Sequence, residues 1–231
     1  MRYLLKIIAL SSFLLANPLQ YGESEATQEQ RDVKTKADFN DLVSSLKSAI
    51  DMGQINPYSY YLGAVYLTDF NVSDGFIEKD IKKAEYYFRM SFNEGNYAAS
   101  YQLAMIELSK KNYDSALFVI DSAIFKLEND RRQDPYKSEL AMSFLATTFG
   151  TIVLEYKYAD KEAVAKAIRL LENNNKKKDA PTILFILANL YNIDGQKEKA
   201  NKLLTHSCSM KGVARDPRLN ALCNQFIVKE K

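Results

Sequence analysis

The sequence is short of the residues from which metal centres and strand-rich folds are usually built. Its 231 residues include one histidine, two cysteines, 8 glycines and 5 prolines. A lone histidine without any Cys-x-x-Cys pair argues against a metal site, because zinc needs several His, Cys or acidic ligands at short spacings. So little glycine and proline argues against many short strands joined by tight turns. No glycine-rich loop of the phosphate-cradling kind occurs either. A hydrolase needs a nucleophile, a base and an orienting acid. His206 lies between Thr205 and Ser207, outside any motif, and reads as a partly exposed helix residue. The acids Asp69, Asp74, Glu78 and Asp80 crowd one loop, where paired carboxylates suit a glycosidase or a calcium site. They lack EF-hand spacing, and a solvated loop with a helix cap explains them more simply. The expectation is a protein that is not an enzyme, with no cofactor and no metal; activity lost on changing His206 or Asp74 would oppose it.

Charge is equally uninformative about polyanions. Arg2 and Lys6 open the chain, and an apolar run from Ile7 to Ala16 follows, broken only by Ser11 and Ser12. The run is too short to span a bilayer comfortably, so residues 1–16 read as a secretory signal, with an uncleaved anchor as the competing reading. No cysteine stands near to accept a lipid. Without Arg2 and Lys6 the chain has 29 basic residues against 29 acidic ones. A neutral chain has no field to draw it to nucleic acid or anionic lipid. Lys176, Lys177 and Lys178 read as a solvated loop. The expected location is periplasmic, with no stable membrane insertion after signal removal.

Helical periodicity dominates what is there. Residues 17–34 are polar and aperiodic, a flexible leader, and residues 35–231 read as a single helical-repeat domain. Phe39, Leu42, Val43, Leu46 and Ile50 make one helix face, ending near Gly53. Asn56-Pro57, Asp134-Pro135, Ala180-Pro181 and Asp216-Pro217 each place proline at a helix start. Leu140 to Val153 form an unusually apolar helix, covered on more than one side. No stretch shows sustained period-two alternation, so the expected class is all-α.

The strongest pattern is a near repetition. Tyr60-x-Leu62-Gly63-x-x-Tyr66 is echoed by Tyr101-x-Leu103-Ala104, with Leu62 and Leu103 41 residues apart, a solenoid period. Gly63 and Ala104 hold one position with the two smallest residues, as though another helix backbone passes there. Between the copies lie Asp80-x-x-Lys83-Ala84-x-x-Tyr87 and the stop-and-start Glu94-Gly95-Asn96. Over residues 57–109 this pattern resembles a Sel1-like repeat, a relative of the tetratricopeptide repeat. Leu187 to Tyr191, with Ala200, resembles a tetratricopeptide hairpin. The chain departs from the pattern where Tyr58 and Tyr61 replace small or polar residues, and where the loop from Thr68 to Lys79 carries Phe70, Val72 and Phe76.

The resemblance implies a right-handed stack of antiparallel helix pairs, an α/α solenoid that binds proteins. In such stacks the first helix of each pair lines the groove, which nominates Tyr58, Tyr61, Val65, Gln102, Ile106, Ile183 and Asn189. For Tyr58 and Tyr61, groove contact and packing between helices stand level; Tyr60, Tyr66, Tyr87 and Tyr101 read as packing. Phe70, Asp74 and Phe76 nominate the loop as a second contact, against a loop folded back over its own hairpin. Cys208 and Cys223 pair in an oxidising compartment as a staple on the last helix, or stay as two buried thiols. Small exported Sel1-like proteins resemble the immunity proteins that neutralise phospholipase effectors of contact-dependent, type VI-like secretion. That resemblance implies a single partner, a secreted effector enzyme; the alternative is a cell-envelope scaffold with several weaker partners.

Overall fold

The computed structural model describes residues 33–130, 135–175 and 180–210, together with Asn220 and Cys223. The expected signal, most of the leader, the lysine loop and nearly all of the last helix lie outside those residues. The chain divides into two compact units with the boundary at Ala123–Ile124. Each unit is described by itself.

In the first unit, α1 (Lys36–Asp51) packs on α2 (Ile55–Leu67), α2 on α3 (Ile81–Asn93), and α3 on α4 (Tyr97–Ser109). A fifth helix, α5 (Tyr113–Asn129), follows and crosses the boundary between the units. The starts and stops are local chemistry. Asp38 N–H donates to Thr35 Oγ1 at 3.1 Å and Thr35 N–H to Asp38 Oδ2 at 2.8 Å, a reciprocal cap on α1. Asp80 Oδ1 takes the Lys83 N–H at 3.0 Å, and Asn96 Oδ1 the Ala98 N–H at 3.1 Å. Gly95 turns the chain between α3 and α4 at a φ of +89°, which a glycine adopts without steric cost. Connections this short fold consecutive helices back on one another as hairpins.

The core of this unit gathers Leu42, Leu46, Leu62, Phe88, Leu103 and Ile106, with Val33 and Val119 packed against it. Gly63 is small for a reason that differs from the expectation. What crosses it is the Phe88 ring: a Cβ on Gly63 would lie 2.8 Å from Phe88 Cδ1 and Cε1. Phe88 is fully buried and also meets Tyr60, with ring centroids 5.5 Å apart. Tyr66 and Tyr87 stack at 5.7 Å with Lys83 Nζ 5.1 Å above Tyr66, so the packing role expected for these tyrosines holds.

The segment between α2 and α3 is not a plain loop. Phe70–Val72 (β1) and Gly75–Ile77 (β2) form an antiparallel hairpin, with Phe70 opposite Ile77, Asn71 opposite Phe76 and Val72 opposite Gly75. Three residues per strand are too few for period two to stand out in sequence. The inward-outward alternation is nonetheless present: Phe70 is buried, Asn71 exposed and Val72 half-buried. The hairpin is tied down on both sides. Ser73 N–H donates to Lys34 O at 2.8 Å, Lys36 N–H to Asp74 Oδ1 at 2.9 Å, and Asp80 N–H to Tyr66 O at 2.7 Å.

The second unit runs through α6 (Pro135–Tyr156), α7 (Lys161–Asn175), α8 (Pro181–Ile193) and α9 (Lys197–Ser209). Consecutive helices pack in turn, and α8 also packs on α6. The expected multi-sided cover of α6 is present: Phe144 to Ala146 and Thr148 to Leu154 are all buried. Gly150 repeats the device of Gly63, since a Cβ there would stand 2.8 Å from Leu171 Cδ1 and 3.2 Å from Ile186 Cγ2. Asp160 Oδ1 accepts from Glu162 N–H and Ala163 N–H, both at 3.0 Å, to cap α7. Tyr191 OH donates to Glu172 Oε1, Lys199 Nζ sits 4.9 Å over the Tyr191 ring, and Ser207 Oγ donates to Pro181 O at 2.9 Å, so α8 is tied to both neighbours. A disulfide joins Cys208 to Cys223, with the Cα atoms 5.6 Å apart.

Gly63→Ala is therefore expected to lower stability by about 1–3 kcal/mol, the usual cost of overpacking a closed core. Phe88→Leu in the same chain should recover part of that loss. Urea unfolding of the two singles and the double measures both, and an unchanged midpoint in Gly63→Ala would remove the contact from the account.

Candidate functional site

Tyr58 and Tyr61 stand one helical turn apart on α2, so both side chains leave the same face. Their rings meet edge to face at 6.5 Å, and Tyr61 meets Tyr60 the same way at 6.2 Å. Tyr60 leans on Phe88 below, which ties the surface rings to the core ring that crosses Gly63. From α4, Gln102 donates its Nε2–H to the Tyr60 hydroxyl at 3.4 Å, a long bond. Asn96 Nδ2 donates to Asn56 Oδ1 at 3.2 Å at the start of the same two helices. The first helices of consecutive pairs are thus joined directly; Tyr58 and Tyr61 make a half-buried patch packed on the core, and Gln102 reaches it through the Tyr60 hydroxyl.

The patch is aromatic with a polar edge. Rings held by neighbouring rings lose little further freedom on binding, which is why tyrosine anchors so many protein interfaces. The hydroxyl chemistry is quiet. Burial pushes Tyr101 up to about 12, and burial also raises Tyr60, opposed by the hydrogen bond from Gln102. Neither phenol is prepared to act as a base near neutrality.

The other nominated residues separate. Val65 and Ile106 are buried in the core, because each lies three residues beyond a core leucine, Leu62 and Leu103, and shares its face. Ile183 is buried on α8, a helix covered nearly all round. Asn189 is half-buried on the same helix and gives its Nδ2–H to Phe185 O at 2.8 Å. Phe70 is an inward residue, edge to face with Phe39 at 5.5 Å, so it is not an aromatic tip. Asp74 accepts the first free N–H of α1, an anion at a helix N-terminus. Phe76 alone of the loop aromatics faces outward, 54% exposed.

Asp69 and Asp80 are likewise occupied by local bonds. Asp69 takes the Lys79 N–H at 2.8 Å and stands 3.5 Å from Lys79 Nζ, while Asp80 caps α3. The Lys83 N–H, ahead of that residue's side chain, holds the Asp80 carboxyl below its ordinary range. Among the described residues no group of three His, Cys, Asp or Glu is placed to hold a metal ion. His206 is exposed on α9. No described helix is long and apolar enough to cross a membrane.

One polar cluster joins α3 to the end of α4. Lys110 Nζ bridges Glu85 Oε2 at 2.7 Å and Glu107 Oε1 at 3.1 Å, Arg89 holds Glu85 Oε1 at 2.8 Å, and Asn112 Nδ2 holds Glu107 Oε2 at 3.1 Å. The Lys110 and then Arg89 contacts keep the Glu85 carboxyl below its usual range. The i,i+4 pair Glu85–Arg89 and the i,i+3 pair Glu107–Lys110 were legible signals; their union through Lys110 was not.

No protein-family model matches the chain, and no curated protein does. Among solved structures, the chain is similar to a variant of the nearly identical TPR-like repeats of a putative kinesin light chain from Podospora anserina. That likeness has 14% identity, covers 79% of this chain and 89% of the other, and has a TM-score of 0.45. The helix pairs described above stand independently of it.

The buried phenols give an alkaline signature. A group whose pKa is higher folded than unfolded stabilises the fold below its unfolded value, and that stability is lost as pH rises through the folded one. For Tyr101 the loss falls between about pH 10, the unfolded phenol value, and about 12. Tyr101→Phe should flatten this part of the stability profile, read as thermal midpoint against pH. Identical alkaline slopes in both chains would contradict the burial of this hydroxyl.

Proposed function

We propose that the chain is a non-enzymatic, exported helical-repeat protein that holds one specific protein partner against Tyr58, Tyr61 and Gln102. The partner is a secreted antibacterial effector, a phospholipase among the candidates, and binding inhibits it. The observation that supports the binding surface is the run of edge contacts from Tyr58 through Tyr61 to Tyr60 on α2, which Gln102 of α4 reaches through the Tyr60 hydroxyl. Export is supported by the basic and apolar character of residues 1–16.

The test is a strain challenged with the effector and supplied with full-length chain, with chain lacking residues 1–16, or with full-length Tyr58→Ala/Tyr61→Ala. Full-length chain should protect and the leaderless form should not. The double variant should lose protection at least about tenfold while keeping its helical signal, the scale expected when two aromatic anchors are truncated. Equal protection with and without the leader would sink the export reading. Undiminished protection by the double variant would remove the patch.

A further inference from the structure

Asn71-Val72-Ser73 is the one Asn-x-Ser/Thr sequence in the chain, and its middle residue is not proline. Such a sequence is the acceptor for N-linked oligosaccharide in exported proteins. An acid stands two residues ahead at Asp69, so the acid-extended form of the acceptor pattern is present as well. We propose that Asn71 is an N-glycosylation site, and that Phe76 is the platform on which the first sugar rests.

Two independent features of the hairpin support this. Asn71 is the outward residue of β1, with its side chain exposed, whereas its neighbours Phe70 and Val72 turn inward. Directly across the ladder stands Phe76, 54% exposed, the one outward aromatic of the hairpin. Residues opposite one another in an antiparallel pair carry their side chains on the same face, with Cβ atoms about 5 Å apart. A pyranose attached to Asn71 can therefore lay its C–H face over the Phe76 ring. More than half of the ring is open to solvent, and the sugar would cover it. Short two-stranded hairpins are marginal by themselves, so the acceptor opens readily to a transferase before the fold closes.

The chemistry balances without any oxidant or reductant. The co-substrate is an oligosaccharide carried on a polyprenyl pyrophosphate. The Asn71 side-chain nitrogen forms a bond to C1 of the first sugar while the C1–O bond to the pyrophosphate breaks. The pyrophosphate leaves with the bonding electron pair, and the amide gives up one proton.

The inference rests on the export part of the reading above, and the experiment separates the two. The chain is given an unrelated cleavable leader in place of residues 1–16 and produced in a host that N-glycosylates its exported proteins. Intact mass and peptide mapping then report on Asn71 whether or not the chain's own N-terminus directs export. The expected result is one oligosaccharide on the Asn71 peptide, absent from Asn71→Gln and Ser73→Ala. The glycosylated chain should melt a few degrees above Asn71→Gln, and in a Phe76→Ala background that gap should close with the glycan still attached. An unmodified Asn71 in the exported, folded chain would overturn the site. A melting gap that persists in Phe76→Ala would overturn the platform.

Discussion

The contact of the Phe88 ring with the bare backbone of Gly63 sets the spacing of the first unit. It brings α2 and α3 closer than any side chain at position 63 would allow. Because the ring is fully buried, it has no room to yield. Tyr60 rests on the same ring from the surface side, and Tyr61 and Tyr58 follow Tyr60 in a chain of edge contacts. The position of the candidate patch is thus a consequence of core packing two layers below it. The second unit uses the same solution at Gly150, where Leu171 and Ile186 fill the space a methyl would take.

Tyr58 and Tyr61 flank the core stripe of α2 and pack against it, so the same helix that closes the core also shows part of two rings. Leu62, Val65 and Tyr66 turn inward, and Tyr58 and Tyr61 are left partly in water. Beside the core shared with the next repeat stand two polar links: Gln102 meets Tyr60, and Asn96 meets Asn56. Net worth for such bonds is about 1 kcal/mol each, since water competes for both groups. Their value lies in register. They fix which side chains of α2 and α4 stand next to one another, and so which shape a partner meets. The hairpin between α2 and α3 is held in the same manner, with carboxylates spent on backbone N–H groups instead of on a ligand.

Much of this was legible. Helix period, the Asp80 and Asn96 caps, the Gly95 turn and the small residue at position 63 all act locally, and local rules read well from one sequence. What crossed Gly63 was not legible, because a small residue announces a close approach without naming the neighbour. Two of the groove candidates are buried, for a reason the spacing contains. Val65 and Ile106 lie on first helices, yet their spacing from Leu62 and Leu103 puts them on the core face. Phe70 and Phe76 looked alike as loop aromatics; only the strand pairing shows that they point in opposite directions. Tyr58 and Tyr61 stood balanced between packing and contact in sequence, and the structure leaves both half-buried, each ring against a neighbouring ring.

The most direct test of a single-partner surface is affinity capture from envelope extract, with the chain lacking residues 1–16 as bait, washed at high salt and read by mass spectrometry. Aromatic contacts survive salt that strips exposed ion pairs. The account predicts one stoichiometric partner after the wash, and its loss when Tyr58 and Tyr61 are both alanine. A scatter of salt-labile envelope proteins, retained equally by both baits, would contradict it and leave the tyrosines as packing.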